Sequence, residues 1–422
     1  MKNRLLENSF VRRVFVLIGG TAIGQLIAIC SLPILTRLYT PEDFSVLAVY
    51  VSLLSMITAV SGLCLEYAIP LPKSNRVAAS LCILSISNVF IFVFFISLLI
   101  LISPNFIHDL LDKKVYQFIW LIPLGVLCVG IYNALQYWSI RNKKFGLISK
   151  TKITQSLGGT GVKLWAGYFL SGSAFGLVFG QLIAQSAGFI SFASSLRKND
   201  WNIFRSVRLK HLKFALRRYK KFPKYSTVEV FANTGSIQIP VILIASYALG
   251  AEAGYLMLAM QLLSTPMGMI SGAVSQVYLS EGSNRFHQGE LKIFTEKTIY
   301  GLAKIAFIPS IVIAILAPSL ISYFLGESWR RTGELISWMV PWFFMQFITS
   351  PVSTSLYITD NHKIAFYLQI FGIFLRAGGV YFFAFFEYMY IVEYYALSGL
   401  LFYTIYLAVV LVVLNKIENN SN

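Results

Sequence analysis

Charge is scarce in this chain, and negative charge scarcest of all. Of its 422 residues only 13% are charged, and 18 acids stand against 35 lysines and arginines. A soluble chain carries about 25% charged residues, so water cannot be the solvent for most of this one. Cysteine is nearly absent: Cys30, Cys64, Cys82 and Cys128 all fall inside apolar segments, at no metal-ligand spacing. Each reads as a small core residue, which excludes a disulfide framework and a thiolate metal site. The four histidines, His108, His211, His287 and His362, lie in loops or at their edges and are not grouped. No P-loop, GxSxG or HExxH pattern occurs, so no enzyme class and no cofactor is implied. The polar segments between apolar runs on the less basic side are too short to fold as a catalytic domain of their own.

What the chain has instead is apolar length. Hydrophobic residues make up 56% and the mean hydropathy is +0.68. A helix needs about 20 apolar residues to cross roughly 30 Å of hydrocarbon, and backbone groups there must be paired within their own segment. Twelve such runs are expected, near 14–35, 44–65, 77–103, 115–140, 147–170, 174–196, 223–249, 254–280, 297–323, 334–358, 363–386 and 390–414. The turn Ser171-Gly172-Ser173 separates the fifth and sixth. The basic start (Lys2, Arg4, Arg12, Arg13) precedes an apolar stretch without a small-x-small cleavage site, so it reads as a retained first helix.

The +17 net charge does not point to nucleic acid, because its placement follows membrane topology. With both termini in the cytoplasm, 27 of the 35 cations fall on the inner side. Five (Arg37, Lys113, Lys114, Arg330, Arg331) fall outside, and three lie within spans. The longest polar break, 197–224, holds eleven cations and reads as an amphipathic linker on anionic headgroups. It divides the chain into an N-terminal six-helix bundle (1–196), a basic cytoplasmic linker (197–222) and a C-terminal six-helix bundle (223–422). The fold class is thus an all-α polytopic membrane protein. The stretch after Pro33 weakly echoes that after Pro240, and the Pro41-Glu42 turn echoes Ala251-Glu252. A same-orientation repeat implies a pseudo-two-fold axis along the membrane normal, an arrangement of transporters with the substrate path between halves.

Ionisable groups inside spans cost several kcal/mol unless they meet a partner or a wet cavity, so they are the first functional candidates. Lys163 follows the small-residue run Gly158-Gly159-Thr160-Gly161, and Arg376 sits mid-span beside Gly378-Gly379. For both, a cavity is the expectation. Lys304, nearer a span end, fits either a cavity or snorkelling to the interface. Glu66 and Glu229 fit ion pairs with adjacent basic loops, or a proton or sodium site coupled to transport. Gln25, Asn233, Gln238, Gln261 and Gln276 could line a wet cavity or bond between helices. Prolines 33, 123, 240, 266, 309 and 341 would kink their helices.

At "LPILTRLYTPEDFSVLAVY" and "LCLEYAIPLPKS" the sequence resembles the polysaccharide-export proteins, the Wzx-type O-antigen flippases. Their superfamily also holds multidrug MATE antiporters and lipid II flippases. "QYWSIRNKKFGLISKTKITQSLGGTGVKLWAGY" and "FPKYSTVEVFANTGSIQIPVIL" extend the likeness over roughly 10–290, and the last four spans match by hydrophobic pattern. The resemblance implies alternating access in a bacterial inner membrane and an undecaprenyl-diphosphate-linked oligosaccharide as cargo. Partners implied are the lipids themselves, a coupling proton or sodium ion, and other polysaccharide-assembly proteins. It places Arg37, Glu66, Glu229 and Asn233 on lining helices, and Lys163, Lys304 and Arg376 on outer ones. The expected substrate-binding set is therefore Arg37, Lys163, Asn233, Lys304 and Arg376, with Glu66 and Glu229 for ion coupling. Rival readings are a drug or cation antiporter of the same fold, a sugar polymerase or ligase, and a scaffold. The antiporter would favour acidic rather than basic mid-span groups, and the polymerase a large external loop.

Overall fold

The computed structural model describes residues 2–104, 113–170, 172–196, 198–247, 250–386 and 390–421, and no strand occurs among them. Helices carry the chain: α1 (Lys2–Leu38), α2 (Pro41–Ser61), α3 (Leu65–Ala68), α4 (Asn75–Ile102), α5 (Leu121–Arg141), α6 (Phe145–Phe169) and α7 (Ala174–Ser194). Two linker helices follow, α8 (Lys198–Arg205) and α9 (Leu209–Arg218). Then come α10 (Thr227–Tyr247), α11 (Glu252–His287), α12 (Leu291–Leu325), α13 (Arg330–Val352), α14 (His362–Ile373), α15 (Gly379–Phe385) and α16 (Ile391–Ser421). Eleven stretches among the described residues are long and apolar enough to span a membrane, which makes this a multi-pass membrane protein. The twelfth expected run corresponds to α6, 25 residues long, whose Lys150, Lys152 and Lys163 dilute its apolar character. Ser171, in the expected turn after it, and His108 lie outside the described residues.

Element ends follow local chemistry. Thr40 caps α2 in a reciprocal box with Asp43, with Pro41 in the first turn, so α1 and α2 are joined by a tight corner. The second span was expected to run to 65, but α2 stops at Ser61. Gly62 follows, and Leu63 and Cys64 adopt left-handed backbone at φ 52° and 54°. α11 and α12, at 36 and 35 residues, exceed a span, because polar and basic turns such as Ser283–His287 continue the helix beyond the apolar core.

The chain packs as two units, residues 1–234 and 235–422, with the boundary inside α10. In the first, α5 lies against α2, α4 and α7, while α6 lies between α1 and α7. Glycine permits the α1–α6–α7 approach. A Cβ at Gly24 would stand 3.0 Å from the Lys152 carbonyl oxygen, and one at Gly159 would stand 2.6 Å from the Ala184 Cβ. The Ser156 hydroxyl donates to the Gly24 carbonyl at 2.5 Å, stitching α6 to α1. In the second unit α13 is central, packed on α11, α12 and α16.

The linker packs on protein through its small and apolar side chains. Ala215 is fully buried in a cluster with Ala78, Ala79, Cys82 and Trp138, flanked by Phe204, Val207 and Tyr219. Asp200, the one acid of the linker, pairs with Lys144 at 2.9 Å and accepts from the Trp138 indole at 3.3 Å.

Candidate functional site

Both expected acids belong to the first unit. Glu66 opens the short helix α3, just beyond the end of the α2 span, and is 5% exposed. Its carboxylate occupies the notch left by the absent side chain of Gly62 and accepts from the Ser85 hydroxyl at 3.1 Å. Among the described residues it forms no ion pair, and burial raises its pKa above the ordinary carboxylate value. Cys64 lies within electrostatic reach of both Glu66 and Glu229. Burial, reinforced by the two acids, pushes its thiol up to about 12. The start of α10 thus lies beside the α2–α4 hairpin. Arg141 fastens that hairpin from α5, donating to the carbonyls of Pro70, Pro72 and Lys73 and to the Asn75 side chain.

Lys163 lies in the α6–α7 seam, where Gly180 makes room for its stem and the amine donates to Gln181 Oε1 at 3.1 Å. Its backbone carbonyl accepts from the Tyr39 hydroxyl at 2.6 Å, tying α6 to the end of α1. No carboxylate pairs with it among the described residues. Arg37, Asn233 and Lys304 are exposed on α1, α10 and α12.

Arg376 is enclosed in the second unit at 1% exposure. It sits on a π-helical turn, Phe374–Gly378, between α14 and α15. The guanidinium carbon stands 4.5 Å from the Phe402 ring centre, 5.0 Å from Trp342 and 5.4 Å from Tyr403. Glycines shape this cage. Gly372 abuts Phe402, Gly399 abuts Trp342, and Gly379 abuts Tyr394, whose hydroxyl donates at 3.0 Å to the Leu375 carbonyl in the widened turn. Among the described residues, Nε and Nη2 of Arg376 and Nε1 of Trp342 have no hydrogen-bond partner, so ring faces supply much of the compensation for the buried charge.

Sequence reasoning missed a second ionic feature in this unit. Arg331, in the first turn of α13, donates to Glu393 at 2.6 Å, to Glu252 at 3.1 Å and to Glu334 at 3.4 Å. It clamps the first turns of α11, α13 and α16, where carboxylates also meet the positive helix ends. The available signal was a lone acid at the start of each of two apolar runs, with Arg330-Arg331 on the cation-poor side. No group of three His, Cys, Asp or Glu side chains among the described residues could hold a metal ion.

A family model described as a polysaccharide biosynthesis protein matches residues 34–334. No curated protein matches by sequence. Among solved structures, the chain is similar to the inward-facing conformation of a multidrug resistance MATE family transporter of the MOP superfamily. That match has 12% identity and a TM-score of 0.69, covering 94% of this chain and 96% of the other. It is also similar to the outward-facing conformation of a MATE family transporter of that superfamily, at 11% identity and a TM-score of 0.61, with 97% and 95% covered. A third, a MOP superfamily transporter from Pyrococcus furiosus described by the reverse polarity of its binding pocket, matches at 12% identity and TM-score 0.59, with 96% and 95% covered. At such identities the likeness is one of fold.

Proposed function

Because the chain belongs to the polysaccharide biosynthesis protein family, we propose that it is a flippase. Its cargo in this reading is an undecaprenyl-diphosphate-linked oligosaccharide, carried from the cytoplasmic to the periplasmic leaflet of a bacterial inner membrane by alternating access. The observation that carries the reading is the family match over 34–334 on a multi-pass fold shared with membrane transporters. Physical chemistry supports it. A diphosphate bearing sugars cannot cross hydrocarbon unaided, and cationic groups in a low-dielectric path would attract it.

In this reading the exposed Arg37, Asn233 and Lys304 contact the cargo. Lys163 and Arg376 hold the packing of their own units from within. Glu66 and Glu229 take the coupling proton or sodium ion. Coupling needs an ion site whose affinity differs between two states, and Glu66, buried without a cationic partner among the described residues, suits a group that is neutral in one of them. The test is translocation of lipid-linked oligosaccharide in proteoliposomes, scored by access of an external sugar-binding probe. Protein-dependent exposure of the sugar is expected, with losses in Arg37→Ala and Lys304→Ala. No exposure with or without ion gradients, in folded protein, would overturn the flippase reading. Export of a lipophilic cation by the same vesicles would favour the drug antiporter.

A further inference from the structure

The docked linker leaves a cationic surface without counter-charge. Docking fixes the rotation of α9: Ala215 faces the bundle, with Leu212 and Tyr219 half-buried beside it. Lys210, Lys213 and Arg217, spaced i, i+3, i+7, share the opposite face and are exposed, and Lys220 and Lys221 continue outward in the turn that follows. None of the five forms an ion pair among the described residues, and the linker's one acid, Asp200, is already held by Lys144. Lys73 and Arg76, exposed at the start of α4 on which α9 packs, extend the same charge. Apolar side chains flank the cations rather than hiding: Leu209 is 76% exposed, Phe214 57% and Leu216 46%.

A helix resting in water has no use for that pairing. Cations interleaved with bare aliphatic and aromatic groups suit the phosphate and upper acyl layer of a membrane. We propose that the outer face of α9, with Lys73 and Arg76, is a binding surface for anionic phospholipid headgroups of the cytoplasmic leaflet. The charge complementarity names the occupant. The inference rests on the proposed orientation, not on the cargo, and binding is read without transport, so its failure would leave the flippase reading standing.

The experiment is native mass spectrometry of the purified protein from mixed micelles containing equal amounts of phosphatidylglycerol and phosphatidylcholine. The wild type is expected to retain phosphatidylglycerol preferentially. Each cation near an anionic surface contributes roughly a fivefold factor, so Lys210→Gln/Lys213→Gln/Arg217→Gln together should lower the preference by up to roughly a hundredfold. The charge-conserving Lys210→Arg/Lys213→Arg/Arg217→Lys variant should keep it. Equal retention of both lipids by the wild type, or an unchanged preference in the glutamine variant, would overturn the proposal. So would retention of undecaprenyl diphosphate alone, supplied as a sugar-free probe, because the surface would then collect cargo rather than bulk lipid.

Discussion

Arg331→Met is the most demanding test of the second unit's packing. The substitution keeps an unbranched stem but removes the cation that serves three carboxylates. Glu393 suffers most: its side chain is 7% exposed, one oxygen takes the 2.6 Å bond from Arg331, and the other is buried without a donor among the described residues. Removing one partner of a buried ion pair costs about 3–5 kcal/mol. Here the lower end applies, because the side chains of Arg331 and Glu252 are 27% and 25% exposed and water screens that contact. A cost of about 3 kcal/mol in a unit of this size corresponds to roughly 6–12 °C in melting temperature. Tryptophan fluorescence on heating reads the event locally, since the fully buried Trp329 precedes the clamp by two residues. The double variant Arg331→Met/Glu393→Gln removes the stranded charge and should recover more than half of the loss. A single variant melting within about 2 °C of wild type, far short of the roughly 6 °C lower limit of the expected shift, or a double variant no better than the single, would refute the reasoning.

Other substitutions probe the first unit and the cage. The raised pKa of Glu66 means that the folded state holds its proton more tightly than the unfolded chain does. Its contribution is present in full below the ordinary carboxylate value and is lost as pH rises through the raised folded value. Glu66→Gln should therefore flatten the decline of melting temperature on that alkaline side, and a variant with the wild-type slope would count against the buried acid. Gly159→Ala should destabilise by about 1–3 kcal/mol through collision with Ala184. Adding Ala184→Gly should restore the wild-type melting temperature if that contact is the cause. Arg376→Lys keeps the charge but loses the flat stacking surface, so it should melt below wild type by roughly the value of a desolvated cation–π contact, about 2 kcal/mol. Equal melting of the two would show that the rings do not hold the guanidinium.

Much of the architecture could be read from apolar length alone, because lipid forces one answer on any long uncharged run: a helix. Where that rule ends, so did legibility. The stop at Ser61 depends on Leu63 and Cys64 taking left-handed backbone, a conformation that neither residue type announces. The linker's cations were visible, but the partner of its apolar side was not, since Ala215 reads equally well against lipid or protein. Aromatic residues fill 15% of the chain, so Trp342, Phe402 and Tyr403 carry no mark separating cage rings from lipid-facing ones. What marks two of them is the small residue opposite, Gly399 for Trp342 and Gly372 for Phe402, and that pairing joins segments far apart in sequence. The Arg331 clamp has the same character, its partners Glu252 and Glu393 lying 79 and 62 residues away. A lone charge in an apolar chain signals that a partner exists, because an unpaired one would be too costly. Only the packing says which partner it is, and so whether the charge secures the frame or faces the cargo.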